Sequence, residues 1–214
     1  MLRAIKHRGP DDEGLWIDEE RGVALGHRRL SILDLSPAGH QPMASADGRY
    51  VIIFNGEIYN YRDLRAELES SGAAPHWRGH SDTEVVLAAF SAWGLADSLK
   101  QFNGMFALAV WDRHEQILTL ARDRAGEKPL YYGWQGRTFL FGSELKAFAA
   151  HPAWRPEIER NALAAFVRYS YVPTPWSIFR GIFKLEPAAL LRIPLNQQPG
   201  TLPKAESYWS FADV

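Results

Sequence analysis

Cysteine is absent from the 214-residue sequence. Disulfide bridges, thiolate metal sites and a cysteine nucleophile supplied by these residues are therefore excluded. Long apolar runs are absent too: no stretch approaches the roughly 20 residues that span a bilayer, and residues 1–8 lack the apolar core of a signal peptide. These absences fit a cytoplasmic protein without a membrane partner.

An excess of charge of one sign is also missing. The formal net charge of −1 at pH 7 gives no electrostatic reason to expect a nucleic-acid partner. A chain of this length can bury one core, or form one domain followed by a tail. Because prolines punctuate its last part, we place one domain over residues 1–170, and the end of that domain with a linker over residues 171–214.

The central stretch of the chain, residues 50–60, reads YVIIFNGEIYN. Residues 50–54 predict a buried strand, Asn55-Gly56 a break, and residues 57–71 a helix that stops at Gly72. A strand that ends in Asn-Gly-Glu presents an amide side chain, a backbone N–H and a carboxylate. That set suits a small ligand with an amine and a developing oxyanion. A plain Asn-Gly turn between a strand and a helix accounts for the same residues equally well.

Ser81 and Glu84 have the spacing of a capping box, which predicts that Ser81 caps the Glu84 amide and that Glu84 reaches back. The helix is expected to run to about Trp93. The box leaves Asp82 free to pair with a ligand ammonium group, or to interact only with the helix dipole. His76, His80 and Asp82 match no standard ligand spacing, so we expect no metal site.

Two basic segments have both a functional and a structural interpretation. Arg29 can clamp a carboxylate in a bidentate manner, but His27 and Arg28 beside it also fit a solvated strand face. The segment Arg122-Asp123-Arg124 predicts a structural ion-pair cluster at a turn, and no phosphate-binding loop follows it.

The remaining pattern is rich in hairpins and lacks regular βαβ alternation, which predicts an α+β fold with antiparallel sheets. Helices are expected at 144–149 and 161–169, and the expected strands are 23–25, 29–35, 105–111, 117–121, 130–134, 138–141, 178–183 and 189–193.

Seven motifs follow one another along the chain: HRGPDDEG (7–14), HRRLSILDLSPAGHQPM (27–43), FNGEIYNYRDLRAEL (54–68), SDTEVVL (81–87), FNGMFALAVWD (102–112), ARDRAGEKPLYYG (121–133) and GSELKA (142–147). In that order they resemble the glutaminase domain of glutamine-hydrolysing asparagine synthetases, which are class II glutamine amidotransferases. The RLSILDLS and KPLYY segments resemble the asparagine-synthetase branch. The resemblance implies the sandwich of N-terminal-nucleophile hydrolases, in which two antiparallel sheets pack between helical layers (αββα).

The resemblance also implies roles for particular residues. Arg29 would bind the α-carboxylate of glutamine, and the backbone around Leu30 and Ile32 would shape the same pocket. The Asn55 side chain and the Gly56 N–H would form the oxyanion hole.

Glu57 and Asp82 would hold the ammonium group of glutamine. The family's nucleophile is a cysteine at the start of the mature chain, whose own α-amine acts as the base. It forms an acyl-enzyme that water hydrolyses to glutamate, and the freed ammonia serves ATP-dependent amidation of aspartate in a second domain.

This sequence departs from the family pattern because it has no cysteine and lacks the strand and helix that precede HRGPD. The Ser-Gly-Gly-x-Asp-Ser motif of the ATP-binding domain is missing as well. We therefore expect an interior piece that lacks the first strand of the fold, is inactive as written and carries no cofactor. ATP and magnesium are expected only in the missing synthetase domain. Glutamine and that domain are the expected partners, and a homodimer is left open.

Two functions remain at this point. The chain is the glutaminase portion of an asparagine synthetase, or it is a binding module without a nucleophile that holds glutamine or a partner ligase. A fold fragment with no ligand is a third reading, because a missing central strand exposes sheet edges.

Overall fold

The computed structural model describes residues 1–213, and Val214, the last residue of the expected linker, lies outside them. Five α-helices occur in the described residues: α1 (Tyr61–Ser70), α2 (Asp82–Trp93), α3 (Leu95–Gln101), α4 (Leu145–Ala149) and α5 (Arg160–Tyr169). The strands are β1 (Asp12–Asp18), β2 (Val23–Arg29), β3 (Met43–Ala44), β4 (Tyr50–Ile58), β5 (Gly104–Asp112), β6 (Ile117–Arg122), β7 (Tyr131–Gln135), β8 (Thr138–Gly142), β9 (Ile182–Lys184), β10 (Ala189–Pro194) and β11 (Glu206–Ser207). Short 3-10 helices cover Leu2–Arg8, Pro37–Gly39 and Phe211–Asp213.

The strands form antiparallel sheets, and the α+β prediction is confirmed. The main sheet has six strands in the order β11-β10-β6-β5-β4-β3. The described residues also form a three-stranded sheet, β8-β7-β9, and a two-stranded sheet, β1-β2, so they build three sheets where two were expected. No helix among them is long and apolar enough to cross a membrane.

The main sheet lies between two apolar layers because successive side chains of a strand point to opposite faces. On one face Tyr50, Ile52 and Phe54 of β4 pack with buried side chains of α1, α2 and α3. On the other face Val51 packs with residues of β2, β7 and β10. Phe148 of α4 covers the far side of the three-stranded sheet. The order of layers is therefore helix, main sheet, smaller sheets, helix.

Strand β4 continues four residues past Phe54, so the expected break at Asn55-Gly56 and the helix over 57–71 are wrong. Gly56 pairs with Phe106 and Ile58 pairs with Gly104. A Cβ on Gly56 would lie 2.1 Å from the Met105 carbonyl oxygen. A glycine here lets the backbones of β4 and β5 approach closely enough to pair, and helix α1 begins only at Tyr61.

Other boundaries also differ from the sequence predictions. The strand expected over 29–35 is wrong, since β2 ends at Arg29 and the next residues form a loop. The strand expected over 178–183 is limited to Ile182–Lys184. Strand β1 is absent from the sequence predictions, and it pairs with β2 along its whole length.

The hairpins β5–β6 and β7–β8 are confirmed, as are helices α2, α4 and α5. Helix α5 differs from the others because only Ala162 is buried. Its apolar side chains Leu163, Phe166 and Val167 are 43%, 49% and 78% exposed and follow helical spacing.

The N-terminal 3-10 helix is joined to α4 by one carboxylate. Glu144 Oε1 lies 3.0 Å from Arg8 Nη1 and 2.9 Å from His7 Nε2, and Glu144 Oε2 lies 3.0 Å from Lys146 Nζ. Burial alone would raise the pKa of the Glu144 carboxyl, but the hydrogen bonds from Lys146, Arg8 and His7 lower that pKa to about 2. The ionised carboxylate therefore stabilises the contact between the two helices.

We expect Glu144→Gln to lower the free energy of unfolding by about 1 kcal/mol at pH 7, because it removes a partly buried charge with several basic partners. The wild-type stabilisation is complete above the ordinary carboxyl pKa of 4.5 and is lost as the pH falls from there towards about 2. Urea denaturation at pH 7, 4 and 3 should show a difference between the proteins that shrinks with acidity.

The control is Glu157→Gln, because Glu157 pairs with Arg180 at the surface, with both side chains about two-thirds exposed. This variant should match the wild type at every pH. A difference for Glu144→Gln that stays constant down to pH 3 would contradict the role given to the Glu144 charge.

Candidate functional site

The end of β4 places an amide and a carboxylate on one face of the main sheet. Asn55 and Glu57 follow Val51 and Ile53 in the alternation, so they point towards the layer that holds β2 and β7. The Asn55 Nδ2 atom is shut off from solvent and has no hydrogen-bond partner in the described residues. A buried amide donor without an acceptor is costly, so this atom marks a place where a ligand oxygen would be favourable.

Asp82 meets the edge of β4 from the start of α2. Its Oδ2 atom accepts a hydrogen bond of 2.9 Å from the Ile58 N–H, and the residue is only 5% exposed. Burial raises the pKa of the Asp82 carboxyl, and the nearby charge of Glu57 raises it further. Neither carboxylate forms an ion pair within residues 1–213, so the two acidic groups lack a cation.

The start of α2 is capped differently from the predicted capping box. The Ser81 hydroxyl accepts from the Thr83 N–H, one residue before the expected donor. Glu84 does not reach back to Ser81; it accepts instead from the Arg78 and Gly79 amides. The capping-box prediction is therefore correct for the helix boundary and wrong for the donors.

Arg29 lies at the end of β2 and organises the loop that follows it. Its guanidinium donates to the Asp34 carbonyl and, over 3.1 Å, to the Ser36 carbonyl. Leu30 and Ile32, at the start of that loop, are 55% and 63% exposed. The arginine therefore holds backbone rather than lying on a solvated strand face.

The same loop is tied to the segment before α2. The Asp34 Oδ2 atom accepts from the His80 N–H at 2.9 Å. Hydrogen bonds from Ser36 and from the His80 amide lower the pKa of the Asp34 carboxyl, which keeps it ionised. A continuous chain of contacts thus links Arg29 to Asp82 and from there to Ile58.

Two residues that the sequence analysis gave no role contact the same strand. The side chains of His27 and Gln41 both reach the Phe54 carbonyl oxygen, directly before Asn55. Burial lowers the pKa of His27 to about 4, so the imidazole is neutral at pH 7 and Nε2 donates to the carbonyl. Residue spacing in the sequence does not predict such contacts, because they depend on where β2 crosses β4.

The segment around Arg122 is structural, but it is not the ion-pair cluster that was predicted. Arg122 donates to the carbonyls of Gly126, Lys128 and Leu185. Asp123 is fully buried and accepts from three backbone N–H groups of the turn that follows it and from the Phe106 N–H on β5. Charged side chains here bind main-chain groups instead of one another.

No three histidine or acidic residues within the described part of the chain are grouped so that they could hold a metal ion. His80 contributes its backbone amide to Asp34, as described above. The candidate site thus consists of the Asn55 amide and the Glu57 carboxylate on β4, the Asp82 carboxylate at the start of α2, and the Arg29 guanidinium at the end of β2.

Comparison with solved structures shows the fold. Glutamine phosphoribosylpyrophosphate amidotransferase from Bacillus subtilis, complexed with ADP and GMP, matches with a TM-score of 0.64 and 20% identity, over 97% of this chain and 45% of that one. The fold is therefore that of amidotransferase domains of this kind.

Sequence comparison places the chain more narrowly. Asparagine synthetase [glutamine-hydrolyzing] 3 of Bacillus subtilis is 42% identical over 89% of this chain, which spans 31% of that protein. The putative asparagine synthetase [glutamine-hydrolyzing] 2 of Methanocaldococcus jannaschii is 36% identical over the whole chain, which spans 43% of it. The chain thus covers less than half the length of either relative. A model of the glutamine amidotransferase domain matches residues 1–209, and the chain belongs to that family.

Proposed function

We propose that this chain is the glutamine-binding, glutaminase portion of an asparagine synthetase. Two observations carry the proposal: the carboxylates Glu57 and Asp82 have no cation in the described residues, and the unpartnered Asn55 amide lies on the same face of β4 as Glu57. A ligand with an ammonium group and a carboxamide oxygen would give the carboxylates a cation and the Asn55 amide an acceptor. Glutamine offers these two groups on one small molecule.

Each part of the ligand has a counterpart in the residues. The ammonium group would lie between Glu57 and Asp82, where it offsets the cost of two neighbouring negative charges. The carboxamide oxygen would accept from Asn55 Nδ2 and the Gly56 N–H, which are suited to the negative charge that develops on it. Arg29 would bind the α-carboxylate, with the backbone near Leu30 and Ile32 forming the wall of the pocket.

The hydrolytic step of the proposed activity needs a nucleophile that these residues do not contain. In the N-terminal-nucleophile scheme a cysteine thiolate attacks the carboxamide carbon, ammonia leaves, and water releases glutamate from the thioester. The sequence has no cysteine, so we propose that the chain by itself binds glutamine without hydrolysing it.

The use of the ammonia belongs to a region that this chain does not cover. In the proposed full reaction, ATP would supply the group that activates the aspartate carboxylate, and ammonia would displace that group to form the amide. We propose that ATP and magnesium bind in that region and not to this chain. Release of ammonia to a synthetase domain is therefore a proposal about a longer protein.

A binding module without catalysis is the second candidate, and the missing cysteine favours it. Both candidates require the same pocket, so a binding measurement tests what they share. Mass spectrometry of the protein isolated from its own cells separates them: a longer chain that begins with cysteine supports the enzyme, and a chain that begins at Met1 supports the module.

We expect the chain to bind L-glutamine in calorimetry and to release no ammonia from it. Glu57→Gln should weaken this binding about fivefold, because a partly exposed pair with the ammonium group contributes ~1 kcal/mol. The side chain makes no ion pair in the described residues, so the fold should keep its stability.

Two controls accompany that titration. Glu67→Gln, on the exposed face of α1, should bind glutamine as the wild type does. The ligand 4-carbamoylbutanoate, which is glutamine without its amine, should bind equally to wild type and Glu57→Gln. Ammonia release by the purified chain, or no glutamine binding by the wild type, would contradict the proposal.

Asp82 should show opposite effects on stability and on binding. Its folded-state pKa is raised above the ordinary 3.8, so ionisation costs stability, and this cost grows as the pH rises through the raised pKa. Asp82→Asn keeps an acceptor for the Ile58 N–H and removes the buried charge. We expect about 1 kcal/mol more stability at pH 7, no gain near pH 3, and at least tenfold weaker glutamine binding.

Asp112→Asn is the matched control for the sign of this effect. Burial would raise the pKa of the Asp112 carboxyl, but hydrogen bonds from Arg49 hold it below its ordinary value. That variant should lose stability at pH 7. If Asp82→Asn were destabilised to the same extent, the carboxylate would be a structural group and not a ligand for an ammonium ion.

A further inference from the structure

Beyond the end of the neighbouring strand β3, a side chain continues the hydrogen bonding along the edge of β4. Strand β3 pairs only with Val51 and Ile52. Two residues further on, the Gln41 carboxamide takes over: its Oε1 accepts from the Phe54 N–H at 2.6 Å and its Nε2 donates to the Phe54 carbonyl at 3.2 Å. A carboxamide offers the same donor and acceptor as a peptide group, so Gln41 replaces one residue of a neighbouring strand.

The alternation of β4 shows which groups this edge presents. In an antiparallel strand every second residue directs both its N–H and its C=O to the same neighbour. Phe54 bonds to Gln41 and Ile58 bonds to Asp82, so Gly56 between them faces the same edge. Side-chain acceptors meet the N–H groups of Phe54 and Ile58, whereas no side-chain or loop acceptor among the described residues meets that of Gly56.

Gln41 is itself firmly held. It is 7% exposed, and its Nε2 also lies 3.4 Å from the Thr83 hydroxyl in the first turn of α2. The His27 imidazole donates to the same Phe54 carbonyl at 3.1 Å, which fixes that peptide from a second side. The position of the Gly56 amide is therefore set by contacts one peptide away from it.

We propose that Gln41 is a positioning residue of the glutamine site, which ends the pairing of the β4 edge at Phe54 and so presents the Gly56 N–H to the ligand's carboxamide oxygen. This inference rests on the proposed function. A longer β3 would accept a hydrogen bond from the Gly56 N–H, which would then be unavailable to a ligand. The Gln41 side chain pairs with Phe54 alone, so it stabilises the edge and leaves the Gly56 N–H unpaired.

The test compares Gln41→Met with the wild type, since methionine keeps the approximate volume and removes both hydrogen bonds. Two ligands are titrated by calorimetry: L-glutamine, and L-norvaline, which keeps the α-amino and α-carboxyl groups but lacks the carboxamide. We expect Gln41→Met to weaken glutamine binding about tenfold and to leave norvaline binding within twofold. Glutamine should also shift the Gly56 amide resonance in the wild type and shift it less in the variant.

Gln135→Met is the matched control. Gln135 is similarly buried and bonds to backbone groups of Arg155 and Trp134, away from β4. It should lose comparable thermal stability without a change in glutamine affinity. Gln41→Glu, which keeps an acceptor for the Phe54 N–H, replaces the methionine variant if that variant does not fold, and it should show the same selective loss.

The outcomes separate the two proposals. Equal weakening of glutamine and norvaline binding, or an unchanged glutamine affinity, overturns the role of Gln41 while the glutamine site stands. Absence of glutamine binding by the wild-type chain overturns the proposed function and this inference with it.

Discussion

The pairing of β4 with β5 beyond Phe54 is the constraint on which the candidate site depends. Gly56 and Gly104 let two backbones meet where any Cβ would collide with a carbonyl oxygen, and the strand therefore stays extended as far as Ile58. The extended backbone of β4 determines where these groups point. The side chains of Asn55 and Glu57 lie on one face of the sheet, and the amides of Gly56 and Ile58 lie on its edge. A helix beginning at Glu57 would have scattered these groups around its axis.

Two buried aspartates, Asp123 and Asp82, differ in how well the surrounding residues satisfy their carboxylates. Asp123 accepts from backbone amides at Phe106, Ala125, Glu127 and Lys128, so its oxygens are saturated and it fixes a turn. Asp82 accepts from the Ile58 N–H and from Thr83, but burial and the charge of Glu57 still raise its pKa. The first arrangement is complete without a ligand. The second leaves negative charge unbalanced in a place with little water, which is unfavourable for the fold and suited to a cation.

The sequence predicted what short-range physics determines. Alternating apolar runs were enough for the β5–β6 hairpin, and a serine before an apolar helix was enough for the start of α2 at Asp82. Prediction failed where a distant segment decides the conformation. Asn55-Gly56 looks like a turn until β5 is placed against it, and nothing local indicates that Gln41 bonds to Phe54. The residues of the candidate site were predicted from a resemblance, and their hydrogen bonds become visible only in the fold.

Helix α5 has a consequence for how the chain behaves in solution. Water must hydrate the exposed stripe of Leu163, Phe166 and Val167, and any contact that removes this apolar surface from water releases free energy. Excluded salts such as sulfate raise the free-energy cost of this exposed apolar surface, so the solubility of the chain should fall as their concentration rises.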